Sequence, residues 1–285
     1  MSMGSRSALQ TPSAEAVAVG APGERVPKAG PRRRARGVDL VASLVAPALV
    51  LVVWMAAVRS GGVLTRFLAS PAEVVNTLWA LVSSGELAAH TVASLGRVLV
   101  GLGAATIVGV PLGLIIAWWP LANRMLSPLL EFLRPIPIAA WVPLSILVFG
   151  IGELPARVLI FLGALHPIIV NTSLGVRSVD HLHVRAARML GAGQRDVVLR
   201  VLIPSAVPSV VTGIRLGLGI AWWVVIVAEL LAVRSGLGYM MVQAQALIRS
   251  DIIIAGIFVI GAIGFTLNRL ALAVESAVTP WRRHG

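Results

Sequence analysis

The sequence predicts an all-α integral membrane protein with six transmembrane helices, on three observations. Of its 285 residues, 57% are apolar and 13% charged, and the mean hydropathy is +0.89. A soluble domain of this size could not keep that much apolar surface from water. Six apolar runs, at about 38–58, 91–118, 128–150, 157–174, 205–233 and 251–275, approach or exceed the roughly 20 residues that a helix needs to cross a bilayer. Lys and Arg also divide unevenly between the connecting segments. Segments 1–37, 119–127, 175–204 and 276–285 hold 15 of them, and segments 59–90, 151–156 and 234–250 hold 4. That bias predicts both termini on the cytoplasmic side. It also explains the net charge of +12, which in a soluble chain would point to nucleic acid.

Residues 1–37 are rich in Pro, Gly, Ala and Ser and end in an arginine cluster, which reads as a disordered basic cytoplasmic tail. Such a cluster before an apolar run also suits a twin-arginine signal, but a cleaved signal does not normally precede five further spans. Residues 38–88 comprise the first span and an external helix. There Ser70-Pro71-Ala72-Glu73 is a capping box, and Val74, Val75, Leu78, Leu81 and Val82 follow as one apolar stripe. The stripe reads as an external interfacial helix lying on the outer membrane face, with packing against the bundle as the alternative. Residues 89–275 hold five spans and one hydrophilic loop, 175–204, and 276–285 form a short basic tail. The third span carries Pro135, Pro137 and Pro143, and the second and fifth are longer than a straight crossing requires.

Some chemistry is excluded. There are no cysteines, hence no disulfide and no thiolate. The single lysine, Lys28, lies between Pro27 and Ala29, so no Gly-Lys-Ser/Thr phosphate loop is present. The histidines lack metal-binding spacing, and there is no nucleophile elbow or other catalytic constellation. The chain is not expected to be an enzyme by itself, or to hold a metal or cofactor.

The loop 175–204 carries the most informative spacing. Asp180 can cap a helix from His181 to Leu190, with Leu182, Ala186 and Met189 on one side and Arg185 and Arg188 free to face water or a partner. Gly191 can end that helix, and a second is expected from about Gln194 to Leu202, stopping ahead of Pro204. Two short helices joined at a glycine make a compact knob, and Ala186 and Ala187 give it a small-residue surface.

Arg185-Ala186-Ala187-Arg188, then Gly191-Ala192-Gly193, then Val201, Ile203 and Pro204 resemble the "EAA…G…I-LP" loop of permease subunits from bacterial type I ABC importers. One position departs: Arg185 stands where the family usually has Glu, which reverses the charge at that contact. The resemblance covers about residues 70–283. Ser70-Pro71-Ala72-Glu73, His90 to Arg97, Gly109-Val110-Pro111-Leu112-Gly113, Gly213 to Gly217, Ala228-Glu229 and Ser235 to Tyr239 look like the nitrate/sulfonate/taurine branch. Arg249 to Gly261 and Pro280-Trp281 are most similar to taurine permeases.

The resemblance implies a MetI-like permease fold, with 89–275 as the type-1 transmembrane domain and 175–204 as the loop that couples to an ATPase. It implies a homodimer in the bacterial cytoplasmic membrane, two ABC ATPase subunits that bind the ATP and magnesium, and an external substrate-binding protein. Small organic sulfonates, taurine first, are the implied cargo. Nitrate, bicarbonate or another small solute is the alternative within the class, and an ATP-independent carrier or channel the alternative outside it.

Ionisable residues and prolines in spans are candidates for the translocation path. They are Pro135, Pro137, Trp141, Arg215 and Glu229, with Arg97 also able to help an anion through. Each has a structural reading too. The prolines could simply kink the span, and Arg97 could lie near the outer surface. Arg215 could pair structurally, Glu229 could pair with Arg234, and Glu131 with Arg134. His166 reads as a hydrogen-bonded packing residue. Gly109 with Gly113, and Gly213 with Gly217, are small-residue pairs suited to close helix packing.

Overall fold

The computed structural model describes residues 36–60 and 68–279. The predicted N-terminal tail, up to residue 35, and the C-terminal tail, from residue 280, lie outside the described residues. The chain divides into two units, Met1–Leu51 and Val52–Gly285. The described part of the first is the beginning of α1 (Arg36–Arg59), which carries Pro47 and leaves Leu49 and Val50 exposed.

In the second unit no strand occurs among the described residues. α2 (Pro71–Ser83) begins at the predicted capping box: Glu73 N donates to Ser70 Oγ, and Ser70 N donates to the Glu73 carboxylate at 2.7 Å. Its stripe divides. Val74 and Leu81 are buried, whereas Val75 and Val82 face outwards. Thr77 Oγ1 donates to Asp251 Oδ2 at 2.7 Å, so α2 packs against the bundle.

The predicted spans at 91–118, 157–174, 205–233 and 251–275 correspond to α3 (Glu86–Trp118), α6 (Glu153–Arg177), α9 (Ile203–Leu231) and α11 (Ser250–Val278). All four are long and apolar enough to cross a membrane, and α6 is the most buried of them. α1 is 24 residues long and takes in the first predicted span, 38–58. The third predicted span, 128–150, is not one helix. α4 (Pro120–Leu133) is followed by a 3-10 turn (Ile138–Trp141) and α5 (Val142–Phe149), bent by 92° from α4. Pro135 and Pro137 remove two amide donors within three residues, and Pro137 is extended at ψ 133°, so the helical ladder cannot pass.

α6 lies between α3 and α9, and small residues make that approach possible. A Cβ on Gly113 of α3 would sit 2.8 Å from the Ile169 carbonyl, and one on Gly213 of α9 would sit 3.2 Å from the Pro167 carbonyl. The predicted glycine pairs are therefore packing surfaces. The main core fills the same seam, with Leu159, Ile160, Ala164, Ile168, Val224 and Val225 fully or almost fully buried.

One helix was not anticipated. α10 (Leu237–Ala246) occupies what reads as an outer loop. Its buried residues Leu237, Met240 and Ala244 stand at helical spacing, the signal that could have found it.

Candidate functional site

The knob forms largely as expected. α7 (His181–Met189) starts at Asp180, whose carboxylate accepts from Leu182 N at 2.8 Å. It ends in a Schellman turn. Ala192 N donates to Ala187 O and Gly191 N to Arg188 O, both at 3.0 Å, with Gly191 at φ 86°. Val184, Ala187 and Ala192 turn inward onto Val176, Val197, Leu202 and Ala206. Leu182, Met189 and Leu190 stay exposed, next to Arg185 and Arg188, which make no ion pair among the described residues. A cleft of 380 Å³ beneath Leu190 and Gly191 is lined also by Asp196, Arg200 and Val201.

The second helix of the knob does not stop at Pro204. α8 (Gln194–Asp196) passes through a π-helical stretch (Val197–Leu202) directly into α9, giving one helix from Gln194 to Leu231. Ile203 N reaches back five residues to Val198 O. This wider turn immediately precedes Pro204, which has no amide to donate and would crowd the carbonyl four residues back in a regular helix. Of the predicted coupling residues, Ala187 and Ala192 pack inward, Arg185, Ala186 and Arg188 face out, Gly191 and Gly193 form the turn, and Val201, Ile203 and Pro204 lie on the emerging span.

The break between α4 and α5 opens onto two adjoining chambers. One, of 230 Å³, is walled by Leu133, Ile138, Trp141, Leu165 and Ile220. The other, of 420 Å³, is lined by Ser127, Glu131, Ser173 and Arg177 among others. Leu130, Arg134, His166 and Pro167 line both. The expected Glu131–Arg134 ion pair does not form, nor does His166 make a hydrogen bond among the described residues. Both expectations are corrected, because the helix ends at Leu133 and these side chains border open space instead of a packed neighbour. Trp141 lines a chamber and Pro135 and Pro137 flank it. Arg215 and Glu229 line neither. Arg215 Nε lies 3.0 Å from Glu275 Oε2, though off the line of the N–H, as a structural pair with α11.

Glu229 belongs to a third cluster, at the opposite end of α9 from the knob. Its expected partner, Arg234, is not the one it has. Arg97 Nη1 donates to Glu229 Oε1 at 2.6 Å and to Ser235 O at 2.8 Å, and Nε donates to Glu153 Oε2 at 2.9 Å. Ser94 Oγ donates to Glu229 and accepts from Leu237 N, while Gly238 N donates to Glu229 Oε2 at 2.9 Å. Arg97 is therefore not at the surface but nearly fully buried. His90, Ser94 and Arg97 share one face of α3, and His90 Nδ1 accepts from Gly236 N at 3.0 Å. Sequence reasoning did not find Glu153, and took Ser94 and Ser235 only as parts of longer motifs, although a carboxylate at the mouth of an apolar run was a visible signal.

Fold and site together define a multi-pass, all-helical membrane permease subunit, with a helical knob built onto the span that crosses its core. Residues 109–283 match the family described as binding-protein-dependent transport system inner membrane component, and the chain belongs to that family of ABC importer permeases. It is 35% identical over 243 residues to the taurine transport system permease protein of Escherichia coli, covering 84% of this chain and 88% of that one. It is 32% identical over 266 residues to the nitrate import permease protein of a Synechocystis, covering 88% and 95%. Among solved structures, an inward-facing conformation of the MetNI methionine ABC transporter aligns with a TM-score of 0.59 at 19% identity, over 72% of this chain and 98% of that chain. That likeness is one of fold, and the fold is the MetI-like one of type I importers. The relatives named here are transport permeases, not enzymes.

Proposed function

We propose that this chain is the pore subunit of an ATP-driven importer of small organic sulfonates, with the knob at 180–204 receiving the stroke of a separate ATPase. The continuous helix from Gln194 to Leu231 carries this reading. Its 38 residues span about 57 Å at roughly 1.5 Å per residue, linking the knob to the Arg97–Glu229 cluster without a loop between them. A push on the knob moves one packed rod against α6, which is rigid-body gating driven by a partner chain. The exposed face of Leu182, Met189, Leu190, Arg185 and Arg188 is apolar and basic, and suits a protein groove. The excess of Lys and Arg in 1–37 and 175–204 supports both termini and the knob on the cytoplasmic side of the cell membrane.

A second copy of the chain, two ATPase subunits that bind ATP and magnesium, and an external binding protein complete the assembly, and this chain binds no cofactor. The taurine permease supports a sulfonate cargo, and the nitrate permease makes nitrate the competing one. Tagged chain purified from its native host, assayed for ATP hydrolysis with and without taurine, alkanesulfonates and nitrate, tests this. A co-purifying ATPase stimulated by ligand-loaded binding protein is expected. Transport by the chain alone, with no ATPase, would replace the importer by a secondary carrier.

A further inference from the structure

From the two chambers at the α4–α5 break, we infer that they form a cargo site for an anionic headgroup carrying an apolar tail, with Arg134 as the residue that holds the head. This rests on the importer reading and narrows its substrate class to alkanesulfonates. The larger chamber sets Arg134 and Arg177 against one carboxylate, Glu131, with the hydroxyl of Ser173 as a further donor, that of Ser127 being given to Asn123 Oδ1 at 2.6 Å. Arg177 already gives a hydrogen bond to Asn123 Oδ1 at 2.7 Å. Arg134 stands at the break between the apolar helices α4 and α5 and has no ion-pair partner among the described residues. An ionisable group held there without a partner marks a path for charge. A guanidinium offers a planar fork of donors matched to an oxyanion.

The smaller chamber supplies the second half of the specificity. Its walls are Leu133, Ile138, Trp141, Leu165 and Ile220, with Arg134 and His166 at the junction. A head held at Arg134 places a short alkyl chain against those walls, which favour it by removing its surface from water. Nitrate has nothing to put there. The ammonium of taurine would meet no carboxylate in the smaller chamber, since Glu131 borders only the larger one. The arrangement therefore ranks alkanesulfonates above both.

The absence of cysteine from the chain allows a direct test. Leu130 lines both chambers one turn before Arg134 on the same helix, so L130C places a lone thiol beside the guanidinium. In the full-length purified chain, an anionic sulfonatoethyl methanethiosulfonate should label it roughly tenfold faster than the trimethylammonioethyl reagent, after correction for their rates with a free thiol. Arg134→Gln should abolish that preference and Arg134→Lys should retain it, with unchanged elution on size exclusion. Butanesulfonate should slow labelling more than equimolar taurine or nitrate, and Ile220→Ser should weaken its protection while leaving the charge preference. Loss of preference in L130C itself, or its survival in Arg134→Gln, would overturn the head site. Equal protection by nitrate would overturn the tail chamber. Labelling needs neither ATP nor partners. Charge-selective labelling without ATP-dependent uptake would sink the importer reading and keep the site, whereas uptake without it would do the reverse.

Discussion

Arg97 Nη1 lies 2.6 Å from Glu229 Oε1, and the two side chains are 1% and 0% exposed. They stand 132 positions apart in the chain, on α3 and α9. The same guanidinium meets Glu153 of α6 and Ser235 beyond the end of α9. One cation thus ties together the three central helices and the loop leading into α10. Removing two charges from water is costly, and the cluster compensates through donors: Ser94 Oγ and Gly238 N both bond the Glu229 carboxylate.

Losing Arg97 leaves Glu229 buried without its cation, while the half-exposed Glu153 keeps only Arg157 at 3.4 Å. Arg97→Met is expected to cost about 3–5 kcal/mol, as breaking a buried pair from one side does. The double variant Arg97→Met/Glu229→Gln should cost less than the sum of the two single changes, because neither leftover charge remains. Thermal unfolding in detergent of the four species measures the coupling. Strict additivity would mean that the two residues do not act as a pair.

Gly191 isolates backbone conformation from space. A Cβ there would meet nothing within 4 Å, yet φ is 86°. Gly191→Val should therefore strain the Schellman turn by roughly 1–2 kcal/mol, displace α7, and uncouple ATP hydrolysis from uptake while membrane insertion continues. Gly191→Asn, which tolerates the left-handed region, should retain most uptake. Equal loss in both variants would show that the small surface, not the turn, is what the partner requires.

The knob and the long spans were legible because their signals are local. A capping Asp180, a terminating Gly191 and runs of apolar residues each act within a turn or along one helix. The break at Pro135 and Pro137 was half legible: the prolines were visible, but whether the chain kinks or turns through 92° depends on what packs on either side. The passage of α9 through Pro204 was not legible, since a proline more often ends a helix and the π turn that lets this one continue leaves no periodicity of its own. Least legible was the partner of Glu229. Sequence nearness pointed to Arg234, and only the stacking of α3 on α6 and α9 brings Arg97 to it.

Gly113 tests the α3–α6 seam. A Cβ at this position would lie 2.6 Å from Thr172 Cβ and 2.8 Å from the Ile169 carbonyl, and a backbone carbonyl cannot swing aside. Gly113→Ala should lower stability by about 1–3 kcal/mol, as overpacking does. Gly103 lies more than two turns away on the same helix, and a Cβ there would meet nothing within 4 Å. Gly103→Ala should therefore be neutral or stabilising by about 0.5–1 kcal/mol. Melting temperatures of the two variants, compared side by side, decide whether close approach sets the requirement at Gly113.

The turn that ends α7 occurs again at the end of α10, with a different residue in the critical place. Arg249 N donates to Ala244 O at 2.8 Å and Ile248 N to Gln245 O at 3.1 Å, the same bonding pattern as at Gly191. Here the left-handed position is held by Ile248, a β-branched residue at φ 55° and 71% exposed, so its side chain gains little burial in return for the strain. Relief of that strain by glycine is worth roughly 1–2 kcal/mol, less the ~0.5–1 kcal/mol that glycine's greater unfolded freedom costs. Ile248→Gly is therefore expected to hold or raise the melting temperature in detergent, by up to about 4 °C. ATPase activity of the assembled complex should not change, since the turn lies at the far end of the fold from the knob. A lower melting temperature would show that Ile248 packs more productively than its exposure indicates.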